Sequence, residues 1–277
     1  MNNKNHWKKG IALSPRKTNF GPVMFCGRLD EGLEAVSQAG FSFVELSIRS
    51  KDDLVPEVFN KRCGDLGLSV TAVATGQACL FDNLCLGSDD RIQQQKAVDH
   101  FKEIATFAME INSGAIIIGG IRGSLSKDGD YDELYTRGID AFRACAEWTD
   151  SIGIPLLIEP INRYETNWIY TAGEGRKVLD AIGVDSVKLL LDTFHMNIEE
   201  ADMVEAIRKT GDRLGYVHFA DNTRHAPGQG QTDFMSVLTV LDQIGYRGPI
   251  VAECLPLPND LTAVIDTATF WDQISLS

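Results

Sequence analysis

Pro155-Leu-Leu-Ile-Glu159 is a short apolar run closed by a carboxylate. Three later stretches repeat the pattern: Val187-Lys-Leu-Leu-Leu-Asp192, Leu214-Gly-Tyr-Val-His218 and Ile250-Val-Ala-Glu253. Continuous apolar runs of this length, separated by helix-length amphipathic stretches, read as parallel strands buried on both faces. Side by side in one sheet, such strands bring their closing residues to the same end. Three carboxylates and one imidazole meeting there read as a divalent-metal site.

Working outward, the same alternation covers the chain. Strands are expected at Gly10–Ser14, Phe41–Ser47, Ser69–Ala74, Ala115–Gly119, Pro155–Ile161, Val187–His195, Gly215–Ala220 and Pro249–Cys254. Helices are expected at Arg28–Ala39, Asp53–Leu66, Asp90–Ile111, Asp132–Ser151, Ala172–Ile182, Asp202–Asp212, Asp233–Ile244 and Leu261–Ile274. Gly40, Gly67, Gly114, Gly153, Gly183 and Gly245 follow helical stretches as C-terminal caps do, and Asp53, Asp90, Asp202 and Asp233 stand at helix starts. Eight strands alternating with eight helices predict one (β/α)8 TIM barrel, a single α/β domain over residues 1–277. The competing arrangement is a doubly wound open sheet, but no glycine-rich nucleotide fingerprint follows the first strand.

Composition narrows the function classes. Of 277 residues, 44% are hydrophobic and 23% charged, values of a globular chain with a large core. A net charge of −13 leaves no basic stripe for nucleic acid or for an anionic membrane surface. No apolar run is long enough for a membrane span, and the opening residues lack the apolar core of a signal peptide. The six cysteines make no CxxC pair. They are expected to be small buried hydrophobes in a cytoplasmic protein.

Barrel enzymes place their chemistry at the C-terminal ends of the strands, where Glu159, Asp192, His218 and Glu253 fall on strands five to eight. Oxygen ligands with one imidazole suit Mn²⁺, Mg²⁺ or Co²⁺ rather than a sulfur-rich structural zinc. Glu159 and Glu253 face one another across the mouth. One can remove a proton from a carbon beside a carbonyl while the other returns one from the opposite face, the metal stabilising the enediolate between. That arrangement suits a C–H epimerase. An aldose–ketose isomerase, which moves the proton along one face, is the alternative.

At these residues the chain resembles the xylose-isomerase-like sugar isomerases and epimerases. Within that group it is similar to ketose 3-epimerases of the D-tagatose 3-epimerase type and to 5-keto-L-gluconate epimerase. The resemblance is carried by Ile158-Glu-Pro-Ile-Asn-Arg-Tyr-Glu165, Leu191-Asp-Thr-Phe-His-Met-Asn197, His218-Phe-Ala-Asp-Asn-Thr-Arg224 and Glu253-Cys-Leu-Pro-Leu-Pro258. It implies C3 epimerisation of a ketose or keto-sugar acid, such as 5-keto-L-gluconate to D-tagaturonate. Glu159 and Glu253 would act as ligands and acid/base groups, with Asp192 and His218 completing the shell around a metal, Mn²⁺ foremost. It also implies that Glu165, His195 and Arg224 contact substrate oxygens, His195 from the loop leaving its strand, and that the chain forms a homodimer or homotetramer.

Arg122, just past strand four, is a further candidate, for a sugar-acid carboxylate; its other reading is an ion pair with a strand-end acid. Arg163 is expected to pair with a carboxylate. Cys254 is expected to point away from the barrel interior by strand alternation. Trp7, Phe20, Cys79 and Phe81 are candidates for an apolar wall of the sugar site.

Overall fold

The computed structural model describes residues 7–19 and 21–276; Phe20 lies outside them. Eight parallel strands close into a barrel in sequence order, β1-β2-β3-β4-β5-β6-β7-β8. They are β1 Lys8–Leu13, β2 Phe43–Ser47, β3 Ser69–Ala74, β4 Ile116–Ile118, β5 Leu156–Ile158, β6 Lys188–Asp192, β7 Leu214–Phe219 and β8 Pro249–Ala252. The ring is completed by β1 pairing with both β2 and β8. The helices are α1 Leu29–Gln38, α2 Pro56–Leu66, α3 Gly76–Asp82, α4 Arg91–Glu110, α5 Tyr131–Ile152, α6 Ala172–Ile182, α7 Thr193–Glu199, α8 Met203–Thr210, α9 Phe234–Gln243 and α10 Asp260–Leu276. The sequence-expected (β/α)8 barrel is therefore observed, with α3 and α7 as short additions just after β3 and β6. No helix among the described residues is long and apolar enough to cross a membrane.

Period-two alternation decides which side chains reach the centre. Leu157, Leu190, Tyr216 and Val251 lie in the inner apolar cluster, together with Ala12, Ala72 and Ile117. Two residues further along the same strands stand Glu159, Asp192, His218 and Glu253. Each polar group thus emerges directly above an apolar plug that fills the barrel. The alternate neighbours, such as Leu191, Val217 and Cys254, belong to the outer core between strands and helices. Cys254 faces outward as alternation requires, and burial pushes its thiol up to about 12.

Several local expectations change. Helix caps hold at Gly67, Gly153 and Gly183, but after α4 it is Asn112 that takes the left-handed conformation, with φ 54°, and Gly114 does not. Asp90, Asp202 and Asp233 cap their helices. Asp53 does not: α2 starts later, at Pro56, and Asp53 instead binds the Arg49 N–H and pairs with Arg16 at 2.6 Å. Cys79 and Cys85 are joined in a disulfide rather than being isolated thiols, closing the segment that carries the end of α3. Trp7 precedes β1, at the end of the barrel opposite the strand C-termini, where its Nε1 donates to the Tyr246 carbonyl at 3.2 Å. It is buried beside Trp271 and is no part of a wall at the mouth.

Candidate metal centre and active site

Glu159, Asp192, His218 and Glu253 are all buried, and each offers a ligand atom within 4.8 Å of the others. His218 Nδ1 sits at their centre, 3.6 Å from Glu159 Oε1, 4.0 Å from Asp192 Oδ2 and 3.5 Å from Glu253 Oε2. Glu159 Oε1, Asp192 Oδ2 and His218 Nδ1 are enclosed yet make no hydrogen bond. Buried polar atoms are almost always satisfied, so Glu159 Oε1 and His218 Nδ1, beside an Asp192 Oδ2 that only the Arg224 ion pair meets, mark a place for a further partner of positive charge. With the three carboxyls ionised and the imidazole neutral, as metal ligands must be, the Arg224 guanidinium leaves two negative charges, which a divalent cation would balance. The donor set, hard oxygens with one imidazole, fits such an ion.

Crowding sets the protonation of the cluster. Burial raises Glu253 to about 8 and Asp192 to about 6, against the pull of His218 and Arg224. Burial opposes charge on His218 too, but the Glu45 and Glu253 carboxylates outweigh it and hold the imidazole well above its usual range. Arg224 stays charged despite its burial, because Asp192 and Glu253 surround it. Its Nη2 is 3.1 Å from Asp192 Oδ2 and also bonds Glu253 Oε2.

The loop after β7 delivers Arg224 in a strained form. Its φ is 61°, a left-handed conformation uncommon for a residue with a side chain. Asp221 holds that loop, accepting the N–H groups of Gly228, Gly230 and Thr232. The Arg224 backbone is pinned between Asp221 O and the Leu255 N–H, both at 2.8 Å.

His195 and Glu165 join the same mouth. His195 lies not on a loop but in the first turn of α7, because the strand ends at Asp192 and the helix starts there. Its Nε2 is 3.8 Å from both Glu159 Oε1 and Asp192 Oδ2 and 3.3 Å from Arg224 Nη1. Burial, followed by Arg224 and Arg122, keeps its pKa well below 6.5. Asn162, to which the sequence reading gave no role, bridges His195 Nδ1 at 2.7 Å and Glu165 Oε1 at 2.8 Å.

Arg122 is placed differently from its expected role. It is fully enclosed, and its guanidinium donates to the backbone carbonyls of Glu159 and Ile169. It braces the end of β5 and is closed off from solvent. Burial lowers it to about 10. Arg163 pairs with Glu199 at 2.7 Å, as its carboxylate reading required. Phe81 is partly exposed on α3, under the Arg49 guanidinium.

The second residue missed in the sequence is Glu45 on β2. It is fully buried, and its Oε2 lies 2.8 Å from His218 Nε2. Its only signal was a charge in the middle of the apolar strand Phe43-Val-Glu-Leu-Ser47.

Comparison with known proteins agrees with this architecture. Residues 33–271 match the xylose isomerase-like TIM barrel family. The chain belongs to that family. It is 33% identical over 228 residues to the L-ribulose 3-epimerase of Mesorhizobium japonicum, covering 81% of this chain and 75% of that one. Over a shorter stretch of 114 residues it is 34% identical to the 3-dehydro-D-guloside 4-epimerase of Escherichia coli, covering 41% and 44% of the two chains. Its fold matches the solved D-allulose 3-epimerase of Methylomonas sp., with a TM-score of 0.83 at 23% identity over 96% of this chain and 97% of the other. These relatives are carbohydrate epimerases, and within the family this chain falls in that isomerase class.

Proposed function

We propose that the protein is a divalent-metal-dependent C3 epimerase of a ketose or keto-sugar acid, with interconversion of 5-keto-L-gluconate and D-tagaturonate as its leading candidate reaction. The observation that carries this reading is one buried cluster with a glutamate at each end of its arc of strands, Glu159 after β5 and Glu253 after β8. A divalent ion held by Glu159, Asp192, His218 and Glu253 supplies a Lewis acid that favours loss of a proton beside a carbonyl. The residues supply the stereochemistry. One carboxylate takes the C3 proton, and the other returns a proton to the opposite face. Glu253 and Glu159 exchange the acid and base roles between the two directions of the reaction. His195, neutral and enclosed, and Arg224, charged and strained, present N–H groups toward the oxygens that flank the reacting carbon.

Similarity to a 4-epimerase gives the main competing reading, in which the same two glutamates act on C4. Proton NMR in D₂O with Mn²⁺-loaded enzyme, the ion removed before acquisition, tests both. The substrates are D-fructose, D-tagatose, D-tagaturonate and 5-keto-L-gluconate. Loss of the C3 proton together with appearance of the epimer is expected, and Glu253→Gln should abolish both. Exchange at C4 would make the protein a 4-epimerase. Movement of the carbonyl to C1 with C3 retained would make it an aldose–ketose isomerase. The substrate that turns over fastest decides between neutral ketose and keto-sugar acid, a choice that Arg122, spent on backbone carbonyls, does not bias.

A further inference from the structure

The acid on β2 has no place in the proton transfers just described. Glu45 is buried at 0% exposure, and among the described residues the basic group paired with it is His218. A buried carboxylate is costly unless its partner holds it well. Its Oε2 meets His218 Nε2 at 2.8 Å, whereas the ring's other nitrogen, Nδ1, points at Glu159, Asp192 and Glu253 and bonds nothing.

The imidazole has little freedom to turn. The Tyr216 ring stacks edge-on against it, with centroids 5.5 Å apart and planes at 85°. Tyr216 is in turn locked by its hydroxyl, 2.6 Å from Thr71 Oγ1, which donates to the Val44 carbonyl at 3.0 Å. A polar column, Thr71–Tyr216 with Glu45–His218 above it, thus rises through the barrel beneath the metal cluster. A carboxylate on one imidazole nitrogen fixes which nitrogen keeps the proton, and it strengthens the other as a donor to a cation.

We propose that Glu45 is a positioning residue for the metal: it retains the proton on His218 Nε2 and thereby presents the Nδ1 lone pair to a divalent ion held with Glu159, Asp192 and Glu253. This rests on the metal reading of that cluster but not on which sugar is turned over. Glu45 touches neither the ion nor a substrate, so its effect is on metal affinity and on the tautomer of one histidine.

The test is binding of Mn²⁺ alone, titrated by electron paramagnetic resonance into the metal-free protein, its E45Q variant and its E45A variant, with thermal unfolding measured alongside. E45Q keeps the volume and an acceptor but removes the charge, and about tenfold weaker binding is expected. E45A removes both, and about 100-fold weaker binding is expected. In ¹⁵N-histidine spectra of the Mg²⁺-loaded protein, one ring should be protonated at Nε2 and perturbed at Nδ1 in the parent, and this signature should be lost in E45A. A role in packing alone would lower thermal stability and leave affinity and tautomer unchanged. Affinity within about twofold of the parent in E45Q, which decides the matter even where E45A does not fold, would overturn the proposal. A parent protein that takes up no Mn²⁺ would instead overturn the metal reading beneath it.

Discussion

Asp192 accepts the backbone N–H of Phe194 at 2.7 Å through Oδ1, so that one oxygen caps helix α7 while the other, Oδ2, faces the metal cluster. The residue that ends β6 therefore starts the helix that carries His195. One hydrogen bond thus links the placement of the imidazole to that of the carboxylate.

These two uses of Asp192 are separable by substitution. Asn caps a helix about as well as Asp, whereas Ala forfeits about 1 kcal/mol. Asp192→Asn is expected to keep the metal-free protein at least as stable as the parent, since it also removes a buried charge, while Mn²⁺ affinity falls by 100-fold or more. Asp192→Ala should lose the affinity and, relative to Asn, about 1 kcal/mol of stability. Urea denaturation with parallel metal titration checks both. Equal stability of the two variants would show that the cap contributes nothing.

Metal uptake should depend steeply on pH. Burial raises Glu253 to about 8 and Asp192 to about 6, above the usual carboxylate range near 4. A carboxyl with a raised pKa in the folded state binds its proton more tightly when folded. Its contribution to stability is therefore complete below about pH 4 and is lost as pH rises through about 6 for Asp192 and about 8 for Glu253. The metal-free protein should thus lose stability across that window, and the ion, which must displace the protons, should bind more tightly as pH rises. About tenfold tightening per pH unit between roughly 6 and 8 is expected for the Glu253 proton alone, and a steeper rise where the ion also displaces the proton that His218 holds. Calorimetry in buffers of different ionisation enthalpy counts the protons released, and an affinity flat over this range would contradict the assignment.

The neutral form of His195, favoured first by burial and then by Arg224 and Arg122, also has Asn162 against its Nδ1. The amide orientation is set because Oδ1 accepts the Tyr164 N–H at 2.9 Å while Nδ2 donates to Glu165 at 2.8 Å. The same Nδ2 faces His195 Nδ1 at 2.7 Å while Arg224 Nη1 faces Nε2 at 3.3 Å, so both ring nitrogens meet donors and a second ring proton is disfavoured. Asn162→Asp replaces that donor with an acceptor carrying charge, which should protonate Nδ1 and raise the histidine pKa. A fall in kcat of about 10- to 100-fold is expected, with a shifted pH profile of kcat/KM, while Asn162→Ala should lower kcat without that shift. Identical pH profiles for the two variants would remove Asn162 from this role.

What the sequence disclosed and what it hid differ in physical kind. The four cluster residues were legible because each closes a buried apolar strand, and a parallel barrel converts that linear position into proximity. Glu45 was not legible. Its partner lies 173 residues away in the chain, and nothing local distinguishes a buried acid from a solvent-facing one in a five-residue strand. The short helix α7 was absorbed into the preceding strand, because Leu189 to Asp192 set an extended pattern and the switch depends on a single cap. Arg122 was assigned from its place after β4. Which way a guanidinium turns depends on which acceptors the fold brings to it, and here they are Glu159 O and Ile169 O, the latter also accepting the Ile161 N–H at 3.2 Å.

Gly119 extends that point to a position where a missing side chain matters. It follows β4, and a Cβ added there would stand 2.5 Å from Glu159 Oε2. The crowding there comes from the Glu159 side chain and not from neighbouring backbone. Gly119→Ala must therefore displace the Glu159 carboxylate from the cluster or shift the strand end by a comparable distance. Because a misplacement of about 1 Å in a reacting group can cost about 100-fold in rate, kcat should fall by roughly that factor, with weaker Mn²⁺ binding. The barrel itself should survive, since the added methyl meets a flexible side-chain end and no backbone within 3.0 Å. Parent-like activity in Gly119→Ala would mean that Glu159 need not stand where it does, and would count against its double role as ligand and base.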